Sequence, residues 1–223
     1  MSLALRAVSH RYSEAQSWVL RDVSLEIEPG STLAIAGPSG SGKTTLLSIL
    51  GLLLSPAEGA VVLDGQPVGS SRGALSSLRS EAFGWVFQTV NVLSRRSARE
   101  NAALACLARG MTRADADSRA VAALESVGLG AMTERPANTL SGGELQRLCI
   151  ARAIAARSRF LLADEPTGQL DRSTSDEVIG ALLRSRPAET ALVLVTHDPQ
   201  VAARCDSIVT IVDGRVVPAE GTR

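Results

Sequence analysis

Residues 37–45 read GPSGSGKTT, and Lys43 within them is the only lysine in a chain with 23 basic residues. The run from Gly37 to Thr44 fits G-x-x-x-x-G-K-[ST]. Glycines let a backbone curl so that successive N–H groups point inward, and the start of a following helix adds further donors. Such a loop cradles phosphate oxygens. Gly37, Pro38, Ser39, Gly40, Ser41, Gly42, Lys43, Thr44 and Thr45 are therefore candidate phosphate-binding residues. Lys43 can reach terminal phosphates as a compact charge on a flexible stem, whereas the planar fork of arginine suits a tight loop poorly. Thr44 offers a hydroxyl for Mg²⁺.

The surroundings suit that loop. TLAIAG (32–37) reads as a strand leading in, and a helix begins near Lys43. RFLLAD (159–164), ALVLVTHD (191–198) and SIVTIVDG (207–214) are further short apolar runs, with helical stretches at about 173–185 and after 198. Short strands without polar alternation are buried on both faces, and their alternation with helices predicts an α/β fold with a mainly parallel sheet. LALRAVSHRY, WVLRDVSLEIEPG and GAVVLDG predict an antiparallel β element near the N-terminus. Residues 91–140, rich in Ala, Leu, Arg and Glu, predict a helical lobe inserted in a core of about 1–90 and 141–223. One helix is expected near 113–127, with Thr112 as N-cap, Asp115 in the first turn and Gly128 after its end. Its apolar stripe would be Ala120, Val121, Leu124 and Val127.

Composition narrows the class. The chain has 223 residues, is 45% hydrophobic and carries no formal net charge. One sizeable core is expected, with no basic arm or stripe for nucleic acid. No stretch approaches the ~18 apolar residues that span a bilayer, and the start lacks a secretory signal. Three widely spaced cysteines suggest a reduced, cytosolic protein without a disulfide framework or zinc site. The chain ends shortly after the last predicted strand, so no appended regulatory domain is expected.

FLLADEP places Asp164 and Glu165 at the C-terminal end of a buried strand, where open α/β sheets bind ligands. Asp164 is suited to holding Mg²⁺, and Glu165 to polarising a water that attacks a γ-phosphate. LSGGELQR (140–147) contains a capping box, Ser141 with Glu144, that starts a helix. Gly142 and Gly143 are poor helix formers, but they leave the helix start approachable for an anion. The chain's own triphosphate already has its loop, so this second helix start could serve the ATP of another molecule.

LSGGE resembles the signature of ATP-binding cassette (ABC) proteins, and the resemblance covers nearly the whole chain. It takes in the phosphate loop, Gln88 in WVFQ, the signature at 140–144, LLADEP, GQLD at 168–171 and His197 in VTHD, in the family's order. The resemblance implies a P-loop NTPase core of the RecA-like type and a Mg²⁺-dependent ATPase. It implies two subunits paired head to tail, each ATP lying between one phosphate loop and the partner's Ser141, Gly142, Gly143 and Glu144. Tyr12 matches the aromatic residue that stacks on adenine. Gln88 matches the residue that touches Mg²⁺ and the attacking water. His197 matches the switch histidine at the γ-phosphate, and Asp171 the loop aspartate that crosses the dimer interface.

Within the family, DEPTGQLD, VTHD and GWVFQTVNVL resemble the branch of lipoprotein-release and macrolide-export ATPases, with a cell-division ATPase related to them. Gln169 stands where that branch usually has Asn, and Leu145 where it usually has Gln. The implied partner is a separate integral-membrane permease, and the implied location is the cytoplasmic face of the cell membrane. A mechanical ATPase linked to cell division is the alternative. Chromosome-maintenance ATPases insert a long coiled coil between loop and signature; here only residues 44–140 intervene, without sustained heptads. Trp85, Val90, Val92 and Leu93 are candidates for partner contact, although most are expected to pack inside the helical lobe.

Overall fold

The computed structural model describes residues 2–69 and 71–217; the end of the C-terminal tail lies outside them. Along the chain run β1 (Leu3–His10), β2 (Leu20–Ile27), β3 (Thr32–Ala36), α1 (Lys43–Leu50), β4 (Glu58–Leu63) and β5 (Gln66–Pro67). Then come α2 (Arg72–Ala82), β6 (Phe83–Val86), α3 (Ala98–Ala108), α4 (Arg113–Ser126) and α5 (Gly142–Ala155). β7 (Phe160–Asp164), α6 (Arg172–Ser185), β8 (Ala191–Val195), α7 (Pro199–Ala202), β9 (Ser207–Val212) and β10 (Arg215–Val217) follow. Two compact units result: one runs to Arg79 and resumes at Ala191, and the other is Ser80–Thr190.

The first unit holds the expected antiparallel sheet, in the order β2-β1-β4-β5. It also holds β3 between β8 and β9, parallel to both, with β10 antiparallel at the edge. Every residue of β8 (ALVLV) is buried, which explains its lack of polar alternation. In α1, Leu46, Leu47, Ile49 and Leu50 are all buried, and Lys43 and Thr45 with them, so the helix is enclosed on most of its surface. Thr32 closes the base of the sheet: its N–H and hydroxyl both donate to Asp206, at 2.7 and 2.9 Å.

The second unit pairs β6 with β7 in parallel and packs α3, α4 and α5 against one another. Thr112 caps α4 by accepting from the Asp115 N–H at 3.2 Å, and Gly128 follows the helix with φ 77°. The buried stripe of α4 is Ala116, Ala120, Ala123 and Leu124, with Val127 just beyond. Val121, expected in that stripe, is only half-buried; small alanines let α3 and α5 come close, which moves the buried face round the helix. Arg109, at the C-terminal end of α3, donates to the Ala156 carbonyl and, at 2.7 Å, to Ser158 Oγ. It thereby satisfies a carbonyl that the end of α5 leaves without an intrahelical partner.

Candidate functional site

The phosphate loop leaves the C-terminal end of β3 and enters α1. Gly37 has φ 141° and Gly42, the N-cap, has φ 104°. At Gly37 a Cβ would collide with the Ile211 carbonyl, and at Gly42 it would stand 2.9 Å from Leu20 Cδ2 and from the Val19 carbonyl oxygen. Backbone conformation and close packing therefore both demand glycine here. Lys43 is 6% exposed, and its ammonium donates to the carbonyls of Gly37 and Pro38, at 2.9 and 2.8 Å. The charge is thus held at the mouth of the loop by the loop itself. Pro38, Ser39, Gly40 and Thr44 are exposed, and Ser41 and Thr45 are buried.

Tyr12, in the segment between β1 and β2, is 59% exposed. Its hydroxyl lies 2.9 Å from Thr45 Oγ1, and its ring meets the His10 ring edge-on at 5.0 Å. The ring is thereby tied to the first turn of α1, beside the phosphate loop, with a large part of its surface still open.

Strand register brings His197 to the same edge. Ile35 pairs with Val195 in parallel, so Gly37 and His197 each lie two residues past paired positions, at the C-terminal ends of neighbouring strands. His197 is exposed. Asp198, next in sequence, caps α7 by accepting from the Gln200 N–H at 2.8 Å.

The second unit repeats this geometry. Val86 pairs with Ala163 in parallel, so Gln88 and Glu165 lie two residues past paired positions at one end of β6 and β7. Gly168 shows that the two side chains converge: a Cβ there would stand 3.1 Å from Gln88 Nε2 and 3.4 Å from Glu165 Oε2. Glu165 has φ 42°, a left-handed conformation uncommon outside glycine. Asp164 and Glu165 are half-buried.

The signature starts α5 as its sequence demands. Ser141 Oγ accepts from the Glu144 N–H at 3.3 Å, and Glu144 Oε2 accepts from the Ser141 N–H at 2.7 Å. The Ser141 N–H bond holds the Glu144 carboxyl below the usual carboxylate range. Gly142 is exposed, whereas Gly143 is buried against Thr174. The second glycine therefore answers a packing need as well as any need for open backbone. Asp171 caps α6: it accepts from the Thr174 N–H at 3.0 Å and from the Thr174 hydroxyl at 2.7 Å.

Trp85, Val90 and Val92 are half-buried and Leu93 is 51% exposed, so none of the four enters the core as expected for most of them. Past Trp85, which lies within β6, polar side chains hold the segment that carries Val90, Val92 and Leu93. Asn101 accepts from the Leu93 N–H at 2.7 Å and donates to its carbonyl at 3.0 Å. Gln146 donates to the Phe87 carbonyl at 3.1 Å, and Arg152 to the Asn91 carbonyl at 2.6 Å. No local sequence pattern singles out Asn101 or Thr174. Gln146 had a legible signal: with Cys149, Ile150 and Ala153 it occupies the buried face of a helix, where a lone amide needs a partner.

A glycine-rich loop that runs from a parallel strand into a buried helix defines a phosphate-loop nucleotide-binding fold. The family model described as ABC transporter matches residues 20–168, and the chain belongs to that family. It is 46% identical over 202 residues to the lipoprotein-releasing system ATP-binding protein LolD of Bordetella pertussis, covering 90% of this chain and 87% of that protein. It is 43% identical over 218 residues to the macrolide export ATP-binding/permease protein MacB 1/2 of Paracoccus denitrificans, covering 96% of this chain but only 33% of that protein. Among solved structures, a dimeric bacterial ABC transporter cassette matches with a TM-score of 0.85 and 34% identity over 97% of both chains. A dimeric post-hydrolysis state of that cassette, bound to ADP and Pi, matches at 0.86 with 33% identity over 99% of both.

Proposed function

We propose that this chain is the ATP-hydrolysing subunit of an ABC transporter. It pairs head to tail with a second such subunit, identical or related, and drives a separate integral-membrane permease of the lipoprotein-release or macrolide-export kind. Residues 91–140 form the helical lobe of one cassette whose core is about 1–90 and 141–223. The observation that carries the reading is the pair of helix starts built for anions: the phosphate loop opening α1, and the capped signature opening α5. One binds the chain's own triphosphate and the other serves the partner's.

The roles proposed are those of the motifs each residue matches. Loop N–H groups and Lys43 hold the phosphates, and the open face of Tyr12 receives adenine. Glu165 accepts a proton from the attacking water, with Gln88 beside it to orient that water. His197 and the partner's signature contact the γ-phosphate, and Asp171 borders the partner. Thr44, Asp164 and Gln88 offer oxygen donors, which suit Mg²⁺; among the described residues no group of three or more His, Cys, Asp or Glu could hold a metal ion. Mg²⁺ asks for only one or two carboxylates beside phosphate oxygens and water. When bound it neutralises charge on the transferring phosphoryl group.

Among the described residues no helix is long and apolar enough to cross a membrane. Attachment to the cytoplasmic face of the membrane through the permease is the location that suits the kinds of system for which the two relatives are named. Phosphate release from ATP and Mg²⁺ tests the reading. Specific activity that rises with protein concentration, and falls away without Mg²⁺, is expected of a dimeric site. Activity per chain that stays constant on dilution to nanomolar protein would argue for a working monomer.

A further inference from the structure

We infer that Gln146 is a positioning residue for hydrolysis: through its bond to the Phe87 carbonyl, the signature helix α5 holds Gln88 beside Glu165. The inference rests on the ATPase reading above.

Gln146 is 2% exposed, yet it is a primary amide on a helix face otherwise made of Cys149, Ile150 and Ala153. An apolar side chain would fill that space without the cost of burying an amide. What the amide supplies is a donor. β6 ends at Val86, and past that point the chain leaves its ladder with β7. The Phe87 carbonyl lies past the last ladder pair, and Gln146 Nε2 donates to it at 3.1 Å. Phe87 immediately precedes Gln88, whose amide converges with the Glu165 carboxylate over Gly168. One hydrogen bond thus fixes the last peptide before a residue placed to orient water.

Two other side chains continue the hold. Arg152, also on α5, donates to the Asn91 carbonyl at 2.6 Å. Asn101, on α3 and 1% exposed, grips Leu93 through both its N–H and its carbonyl. The segment 87–93 is therefore pinned at three points, two of them on the helix that begins at the signature. Gln146 lies five residues beyond Ser141, about 7.5 Å along the helix axis. A phosphate docking at Ser141–Gly143 and the peptide leading into Gln88 are thus held by one short, stiff element. A shift of α5 when the signature docks would carry Phe87, and Gln88 with it, toward or away from Glu165.

The test is a double-mutant cycle on the full chain, read as steady-state ATPase kinetics with nucleotide-binding stoichiometry. Gln146→Met keeps the volume and loses the donor. It should lower kcat about tenfold, leaving KM for ATP and the number of binding sites unchanged. In a Gln88→Ala background the same substitution should cost less than about twofold, because its route to the chemistry is already cut. A variant that matches the unsubstituted chain, or that costs the same factor in both backgrounds, overturns the inference. An inactive unsubstituted chain sinks the ATPase reading itself, and this inference with it. Should Gln146→Met fail to fold, Arg152→Met carries the test. A loss of about threefold in kcat, recovered by Arg152→Lys, supports the hold on segment 87–93; no loss overturns it.

Discussion

The methyl group of Thr174 fills the space in which a Cβ on Gly143 would have to stand, while the hydroxyl of the same residue donates to Asp171. One side chain therefore joins the start of the signature helix to the cap of α6. Two motifs far apart in sequence, both proposed to face the partner subunit, are held by a single residue.

Gly143→Ala gains helix propensity but drives a methyl into a methyl. Overpacking of that kind costs about 1–3 kcal/mol. A fall of several degrees in melting temperature is expected. Thr174→Ser, which removes the methyl but keeps the hydroxyl on Asp171, should restore most of it when combined with Gly143→Ala. A double variant no more stable than Gly143→Ala would show that the clash is not the cause.

Lys43→Ala should abolish hydrolysis and greatly weaken nucleotide binding. Lys43→Arg should fail as well, although it keeps the charge. The ammonium sits between the Gly37 and Pro38 carbonyls in a nearly buried position, and a guanidinium is too broad for it. Phosphate release checks both variants, and near-normal turnover by the arginine variant would contradict this account of the loop.

Tyr12→Phe keeps the ring and loses the bond to Thr45 Oγ1. ATP affinity should fall by about tenfold or less, the share of one hydrogen bond that only orients the ring. Tyr12→Ala, which removes the π-face too, should lose distinctly more. Fluorescent-nucleotide titration separates the two, and equal losses would mean that the ring face takes no part in binding.

Acid should loosen the two capped helix starts. The Ser141 N–H holds the Glu144 carboxyl below its usual range, and the Thr174 N–H does the same for Asp171. A depressed folded-state pKa contributes stability that is complete above the unfolded values, about 4.3 for Glu and 3.9 for Asp, and is lost as pH falls through the folded ones. Urea midpoints measured between about pH 5 and pH 2 should therefore fall with acid. They should fall less steeply in Glu144→Gln, whose cap carries no titrating group. An unchanged slope in that variant would exclude Glu144 as a contributor.

Much of this was legible in the sequence because the signals were local. A glycine-rich loop after an apolar strand, the Ser141–Glu144 spacing and the Thr112 cap each require only a few neighbouring residues to agree. The surface placement of Leu93 was not legible. It depends on Asn101 and on residues of α5 more than fifty positions away, whose polar side chains reach the 87–93 segment only once the second unit has folded. The burial of Gly143 is illegible for the same reason. Its neighbour Thr174 is distant in sequence, and a glycine that leaves backbone open reads the same as one that lets another side chain in.

The most direct measurement of the central claim is assembly of the Glu165→Gln variant. That change keeps the shape of the side chain and removes the proposed base, so ATP should bind and persist. On a sizing column, ATP with Mg²⁺ should convert the variant from monomer to dimer, while ADP should not, since it lacks the γ-phosphate that the partner's helix start would read. Adding Ser141→Arg places a bulky group at that helix start and removes its cap. The double variant should still bind nucleotide at its own loop and should stay monomeric. Dimerisation of the double variant with ATP to the same extent as the single one would contradict the claim that two chains share each ATP through the signature.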